Sequence, residues 1–293
     1  MRTTTTKKPK GLETKAGAVV AKDGSQSTLP AYLQGEKPAA LSGAMDADDI
    51  ILPRIKLLQG ISPEVEAFED AKNGVFWHSV LGERIRSEMF PDGDGFDFIV
   101  LTQKKKYLLM APLTDPRGVL ARAEDGVHWK PANQSFEVKL KGVKEPQTWT
   151  TKDTVRESGL AEFGSSVKGD DDSKPAAVLI YEYLVYLPDR PDISPIFLSL
   201  ARSQARKGKD LNSKIVFRNA PLESQRFRAT VIEETGDEGP YKNYQFQNAG
   251  WATQDEYRHC KALAEQFGTA RAADEEGLVH EAEPATGEDP KDY

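Results

Sequence analysis

The sequence predicts a mainly β (α+β) fold, either an OB-like small barrel or a strongly bent antiparallel sheet with two helices packed at its ends. Several short β-branched and aromatic runs, separated by turn-forming residues, indicate strands. Only two segments have the spacing of an amphipathic helix. Of the 293 residues, 38% are hydrophobic and 29% are charged, which is typical of a folded body with terminal segments that do not pack.

The chain divides into three parts by composition. Residues 1–47 are rich in Thr, Lys, Gly, Ser, Pro and Ala and bury too little apolar surface to offset chain entropy, so we predict disorder there. Residues 48–270 are predicted to form a single β-rich domain. Residues 271–293 are predicted to be a disordered acidic tail. Eight acids and one lysine in residues 272–293 give a net charge of −7, equal to that of the whole chain.

The strands follow in order along the domain. GVFWHSVLGERI predicts a strand entering a turn, and GFDFIVLTQKKKYLLMAPL predicts an alternating strand after the turn PDGDG. PAAVLIYEYLVYLP is the strongest strand and returns through DRPDIS into PIFLSLAR as a hairpin. Tyr181 and Tyr183 share one face of it and are predicted to pack. RFRATVIEETGDEGPYKNYQFQNAGWA predicts a second hairpin.

Helices are predicted over about residues 203–216 and 254–267. For the second, Thr253 is the predicted N-cap and Gly268 is expected just past its end. Residues 124–175 are polar and show no clear period. We interpret them as a polar insertion between strands.

Several classes of function lack support in the sequence. The four histidines are scattered, the single cysteine Cys260 permits no internal disulfide, and no metal-ligand or catalytic motif is present. We therefore expect no enzyme activity, cofactor or metal, although dispersed carboxylates of a metal-dependent nuclease stay an open alternative. The absence of a signal-like or membrane-spanning apolar run, together with a single cysteine, favours a cytoplasmic protein.

Two clusters of basic residues are candidate binding sites. The segment from Ser199 to Arg228 has eight bases and two acids, and Arg202, Arg206 and Lys209 recur at the spacing of one helix face. The second cluster is Lys104-Lys105-Lys106-Tyr107 within a strand, where alternate side chains point to opposite faces. Cations beside aromatic rings are typical of single-strand binders. The alternatives are a solvated helix face and an edge strand protected against aggregation.

Aromatic residues could supply stacking platforms for bases. The candidate stackers are Phe76, Trp77, Tyr107, Tyr241, Tyr244, Phe246 and Trp251. Aromatic residues at alternate strand positions also form cores, and Trp251 at a strand end after Gly250 is also consistent with a core plug.

Three stretches of the sequence together resemble one known family. DDIILPRIKLLQGISPEV, SPIFLSLARSQARKGKDLNSKI and GPYKNYQFQNAGW occur in this order, with the turn Phe163–Ser166 between the first two. Over about residues 48–268 the chain resembles a family of bacteriophage proteins from replication and recombination gene regions. That resemblance implies single-stranded DNA binding and an OB-like core. It also implies that the basic motif faces DNA, through Arg202, Arg206, Lys207, Lys209 and Lys214, and that Tyr241, Tyr244 and Trp251 pack or stack.

The leading hypothesis is a non-enzymatic single-stranded DNA-binding protein of phage replication or recombination. The nucleic-acid-binding residues are predicted to be Lys104, Lys105, Lys106, Tyr107, Arg202, Arg206, Lys207, Lys209, Lys214, Arg218, Tyr241, Tyr244 and Trp251. The acidic tail, with Glu288, Asp289, Asp292 and Tyr293, is predicted to recruit replication or recombination proteins, with a solubilising tail as the alternative. A protein-binding accessory factor without nucleic-acid contact is the rival hypothesis. The sequence leaves homo-oligomerisation open.

Overall fold

The computed structural model describes residues 53–113, 115–167, 174–236 and 239–277. The predicted disordered segment 1–47 lies outside the described residues. So do residues 278–293 of the predicted acidic tail, which include all four predicted partner-binding residues of the tail.

The described residues form eleven strands and four helices, with 3₁₀ turns between some of them. In chain order they are β1 (Arg54–Leu57), α1 (Pro63–Ala67), β2 (Phe76–His78), β3 (Glu83–Arg84), β4 (Gly95–Met110), β5 (Val119–Ala123), β6 (Ser135–Val138), β7 (Gln147–Thr150), α2 (Val155–Ser158), β8 (Ala177–Tyr186), β9 (Ile196–Ala201), α3 (Ala205–Phe217), β10 (Gln225–Gly236), β11 (Gly239–Trp251) and α4 (Gln254–Gly277).

Nine of these strands form one strongly curled half-barrel sheet in the order β11-β10-β4-β8-β9-β1-β2-β3, with β5 also pairing with β4. The predicted mainly β fold with a strongly bent sheet is confirmed, as are the hairpins β8–β9 and β10–β11. The sheet is not wholly antiparallel, because β1 pairs with β9 in parallel over two residue pairs. No hairpin links these two strands, so no tight turn imposes the antiparallel direction.

The sixteen-residue strand β4 connects two hydrophobic cores. Its first half pairs with β10, its last four residues pair with β5, and β8 follows it along most of its length. The register with β8 shifts between Val100 and Thr102, a bulge that bends the strand between its two partners. Before the bulge, Phe96 and Phe98 belong to the main core, whereas Leu109 belongs to the second core.

The second core lies in the segment that the sequence suggested was a polar insertion. Strands β6 and β7 form a separate hairpin, and Trp129, Phe136, Trp149 and Val155 are buried together against the ends of β4 and β8. The interpretation of residues 124–175 as polar was therefore incomplete. Strands of four residues are too short to show a recognisable period, so the apolar positions look isolated in the sequence.

Helix α3 lies on the inner face of the curled sheet. Its Leu211 and Ile215 join the main core, and the Tyr183 hydroxyl lies 3.0 Å from the Gly208 carbonyl oxygen and 2.8 Å from Oδ1 of Asn212. A Cβ at Gly208 would lie 2.6 Å from the Tyr181 ring, so only glycine permits this close approach. The predicted packing of Tyr181 and Tyr183 is confirmed.

Helix α4 lies on the opposite face of the sheet, where Cys260 packs with Ile99, Leu101 and Leu184. Thr253 and Glu256 form a reciprocal capping box, which confirms Thr253 as the N-cap. The predicted stop at Gly268 is wrong, because the helix continues to Gly277 and so includes residues 271–277 of the predicted tail. That stretch, RAADEEG, is rich in alanine and glutamate, which favour helix and outweigh one internal glycine.

Candidate nucleic-acid interface

The basic cluster Lys104-Lys105-Lys106-Tyr107 is divided between the two faces of β4, as the alternation of side chains along a strand predicts. Lys106 is buried, and its Nζ donates to Oε2 of Glu182 on β8 at 2.7 Å. The same carboxylate accepts from Ser199 at 3.3 Å and lies 3.8 Å from the Arg54 guanidinium. The prediction that Lys106 contacts DNA is therefore corrected. A buried ammonium that is already paired with a buried carboxylate is not available to a DNA phosphate.

Lys105 and Tyr107 lie on the other face. The Lys105 Nζ is 5.0 Å from the centre of the Tyr107 ring, and Lys105 is the cross-strand neighbour of Tyr181. Because the Tyr181 ring also packs against Gly208 of α3, Lys105 lies on the same face of the sheet as the basic helix. Lys104 lies on the Lys106 face, directly opposite Glu182.

The exposed side of α3 forms a stripe, which we define as Arg202, Arg206, Lys209, Ser213, Val216 and Phe217. At 3.6 residues per turn these positions follow one side of the helix and of the 3₁₀ turn before it, and all six are exposed. Asp210 is exposed on the same side, where its carboxylate accepts from Lys214. Arg202, Arg206 and Lys209 form no ion pair with any residue that the structure describes. The stripe therefore has three solvent-facing cations at one end and two apolar side chains at the other.

Most of the remaining bases of this region form ion pairs within the protein. Lys207 donates to Glu234 at 2.6 Å, and Lys214 donates to Asp210 at 2.5 Å. Arg228 donates to both carboxylate oxygens of Asp97, at 2.7 and 3.1 Å. Much of the positive charge between Ser199 and Arg228 is thus balanced by acids, on α3 itself at Asp210 and on other elements at Glu234 and Asp97. The predicted roles of Lys207 and Lys214 in DNA contact are weakened accordingly.

Trp251 is exposed at the C-terminal end of α3. Its side chain is 58% exposed, and the Arg218 guanidinium lies 3.9 Å from the centre of its ring. The core-plug alternative for Trp251 is therefore wrong. An exposed indole held by a guanidinium on one side leaves aromatic surface for a further flat group, such as a base.

Most of the other candidate stackers lie in the protein interior. Phe76, Tyr244 and Phe246 are buried in the main core, and Trp77 is buried in a smaller cluster. A stacking role for these four is corrected, because their rings already pack against neighbouring rings. Burial also raises the pKa of Tyr244.

Tyr241 is half-buried, and its hydroxyl donates to Oε2 of Glu234 at 3.0 Å. The Glu234 carboxylate also accepts from Lys207 and from Asn243 Nδ2. The Lys207 hydrogen bond, followed by those from Asn243 and Tyr241, lowers the pKa of Glu234 to about 2. These hydrogen bonds connect α3 to the β10–β11 hairpin, so the Tyr241 hydroxyl already contributes to the packing of the protein.

The sequence reasoning missed Val216 and Phe217, which are 71% and 88% exposed. They follow Ile215, which faces the core, so three successive apolar residues occur where only one can be buried by an amphipathic helix. That run is the signal that could have identified them. A shallow cleft of about 400 Å³ lies beside them, lined by Ile215, Val216, Asn219, Ala220 and Pro221.

Among the described residues, no group of three or more His, Cys, Asp or Glu side chains is arranged to hold a metal ion. None of the helices in that part of the chain is long and apolar enough to cross a membrane.

Comparison with known proteins gives one finding. The model of a family described as Pam3 phage gp34-like protein matches residues 21–273, which is most of the chain. No significant match was found among curated proteins or among solved structures.

Proposed function

The chain belongs to the Pam3 phage gp34-like protein family, and from that premise we propose that it is a single-stranded DNA-binding protein of phage replication or recombination. The observation that supports this proposal best is the exposed Arg218–Trp251 stack at one end of the α3 stripe. In this proposal the DNA strand lies along the α3 stripe. Its phosphates contact the cations of the stripe, and its bases contact the aromatic rings at the other end.

The cations of the stripe suit a phosphate backbone. Arg202, Arg206 and Lys209 are exposed and have no internal ion pair among the described residues, so each can replace a counterion on a phosphate. The thirteen residues of α3 span about 20 Å. A DNA strand that follows α3 would pass Lys105, which lies on the same face of the sheet.

The aromatic end suits stacking without base selectivity. Every base has a flat face, so the exposed ring of Trp251 and the nearby Phe217 at the end of α3 can accept any of them. We therefore expect weak sequence selectivity. In this proposal the acidic tail competes for the same cations and recruits partner proteins such as a polymerase, helicase or nuclease.

The test is fluorescence anisotropy with a labelled oligo-dT and a duplex of equal length, using the full chain at several salt concentrations. We expect single-strand preference and an affinity that falls steeply as salt rises. Replacing Arg202, Arg206 and Lys209 together with glutamine should lower the slope of log affinity against log salt by about 2, because each phosphate contact on a single strand contributes about 0.7.

The matched control is Arg258→Gln on α4. Arg258 is also an exposed helical arginine, and its ion pair with Asp255 is long, at 3.7 Å. It should bind like the wild type. Equal binding by the triple variant and the wild type, or an affinity insensitive to salt, contradicts the proposed function.

A second candidate function is favoured by one observation. Val216 and Phe217 expose apolar surface beside a shallow cleft, and exposed apolar patches mark protein interfaces. If the chain binds no oligonucleotide at low salt, a protein-binding accessory factor becomes the better proposal. The variant Phe217→Ser should then abolish capture of replication proteins.

A further inference from the structure

A cleft lies where the parallel strands β1 and β9 separate. They pair only at Arg54 with Phe197 and at Ile55 with Leu198. Beyond that point β9 continues along β8 and turns into α3, and a cleft of about 430 Å³ opens between the two strands. Clefts of this size are typical of small-molecule sites.

The cleft has an apolar floor and a polar rim. Its apolar lining is Ile55, Leu57, Leu58, Pro63 and Tyr244. Its polar lining is Arg54, Lys56, Ser62, Glu64, Ser199 and Gln204. An apolar surface with a few polar groups around it fits a flat heterocycle that has a charged substituent.

The rim has an excess of positive charge. Lys56 and Glu64 form an ion pair at 2.6 Å and balance one another. Glu182 accepts from Lys106 at 2.7 Å, whereas the Arg54 guanidinium is 3.8 Å from the same oxygen. Lys106 also lies 3.9 Å from Glu124. The half-exposed Arg54 is the more distant cation at Glu182 and is available for an additional anion.

Gln204 closes the other wall. Its side-chain amide makes no hydrogen bond with any residue that the structure describes. An amide can both donate to and accept from the edge of a base. Gln204 also precedes α3, two residues after Arg202, so the cleft lies at the cationic end of the stripe.

We propose that this cleft binds one nucleoside monophosphate unit, with its phosphate at Arg54 and its base on the apolar floor beside Gln204. This inference rests on the proposed function, since the unit can be the end of a bound DNA strand. The same chemistry is present in a free mononucleotide, and the test separates these two sources.

The test is calorimetric titration of the full chain with thymidine monophosphate, with thymidine and inorganic phosphate as separate probes. We expect thymidine monophosphate to bind more tightly than either fragment. The variant Arg54→Gln should weaken it about tenfold or more, because hydrogen bonds to charged groups are among the stronger ones. Arg86→Gln is the matched control. Both guanidinium groups have a carboxylate neighbour, and their side chains are 47% and 45% exposed.

Gln204→Leu is the second variant. It removes no hydrogen bond between described residues and so keeps the inference testable if Arg54→Gln fails to fold. We expect it to weaken thymidine monophosphate as well. No binding of thymidine monophosphate, equal binding of inorganic phosphate, or unchanged binding by both variants overturns the inference.

Competition identifies the source of the nucleotide. Displacement of thymidine monophosphate by oligo-dT assigns the cleft to the end of a DNA strand. Binding of both at once assigns it to a free mononucleotide. Failure of the proposed function is a separate result, in which oligo-dT does not bind whether or not thymidine monophosphate does.

Discussion

The basic segment of β4 and the basic helix α3 have similar side chains but differ in what those side chains contact. On β4, Lys106 is buried and donates to Glu182 at 2.7 Å. On α3, Arg206 and Lys209 are exposed and form no ion pair among the described residues. A cation inside a sheet must be paired because desolvation is costly, whereas a cation on an outer helix face stays available. We therefore expect the first region to serve stability, and in the proposed function the second region serves binding.

The largest expected effect tests the β4 region. Replacing Glu182 with alanine leaves Lys106 buried without its close partner, so the free energy of unfolding should fall by about 3–5 kcal/mol. Urea denaturation measures this. The double variant Lys106→Met with Glu182→Leu should recover most of the loss, since an apolar pair of similar size removes the buried charges.

The control for that experiment is Asp210→Ala. Asp210 pairs with Lys214 on the surface of α3 at 2.5 Å, so its loss should cost only about 0.3–0.5 kcal/mol. A large cost for Asp210 and a small cost for Glu182 would remove the distinction between the two regions.

The second prediction tests the helix region through Trp251. The variant Trp251→Ala should weaken single-strand binding by about 1–3 kcal/mol, the range for one stacked base. Its unfolding free energy should fall by no more than about 1 kcal/mol, because an exposed cation–π contact contributes little to stability. Phe163 is an exposed aromatic in the segment that holds the second core, and Phe163→Ala should bind DNA like the wild type. An equal loss from both variants would refute a specific site at Trp251.

The smallest expected effect concerns Glu234, which links the helix region to the β10–β11 hairpin. Its pKa is lowered from 4.5 to about 2, first by the hydrogen bond from Lys207. A lowered pKa in the folded state stabilises the protein above pH 4.5, and this contribution is lost as the pH falls towards 2. Between pH 6 and pH 3 the wild type should therefore lose more unfolding free energy than Glu234→Gln does. Identical pH profiles in urea denaturation would contradict this role.

Much of the fold follows from local patterns in the sequence. Alternation in β4 gives the two faces correctly, and Thr253 with Glu256 marks the start of α4. The partners of the charges do not follow from such patterns. Glu182 is 76 residues from Lys106, and nothing near the lysine indicates that the two side chains would meet across adjacent strands.

The same limit applies to the candidate site. The spacing of Arg202, Arg206 and Lys209 predicts one exposed face, and the structure has them exposed. The spacing does not predict the cleft beside Arg54, because two strands far apart in the chain form it. The exposure of Trp251 also depends on where α3 ends relative to β11, which is a tertiary property.

The pairing of Leu109 with Ala177 has a consequence for how residues 110–176, which hold most of the second core, are attached. The chain leaves the half-barrel at the end of β4 and returns at the start of β8, at two residues that are already neighbours across antiparallel strands. Residues 110–176 are therefore modular, since a tight turn at this point could replace them, together with the edge strand β5, without changing the order or direction of the other eight half-barrel strands. Relatives can vary in length here, and an engineered fusion can be inserted here, while the strands beneath α3 keep their connectivity.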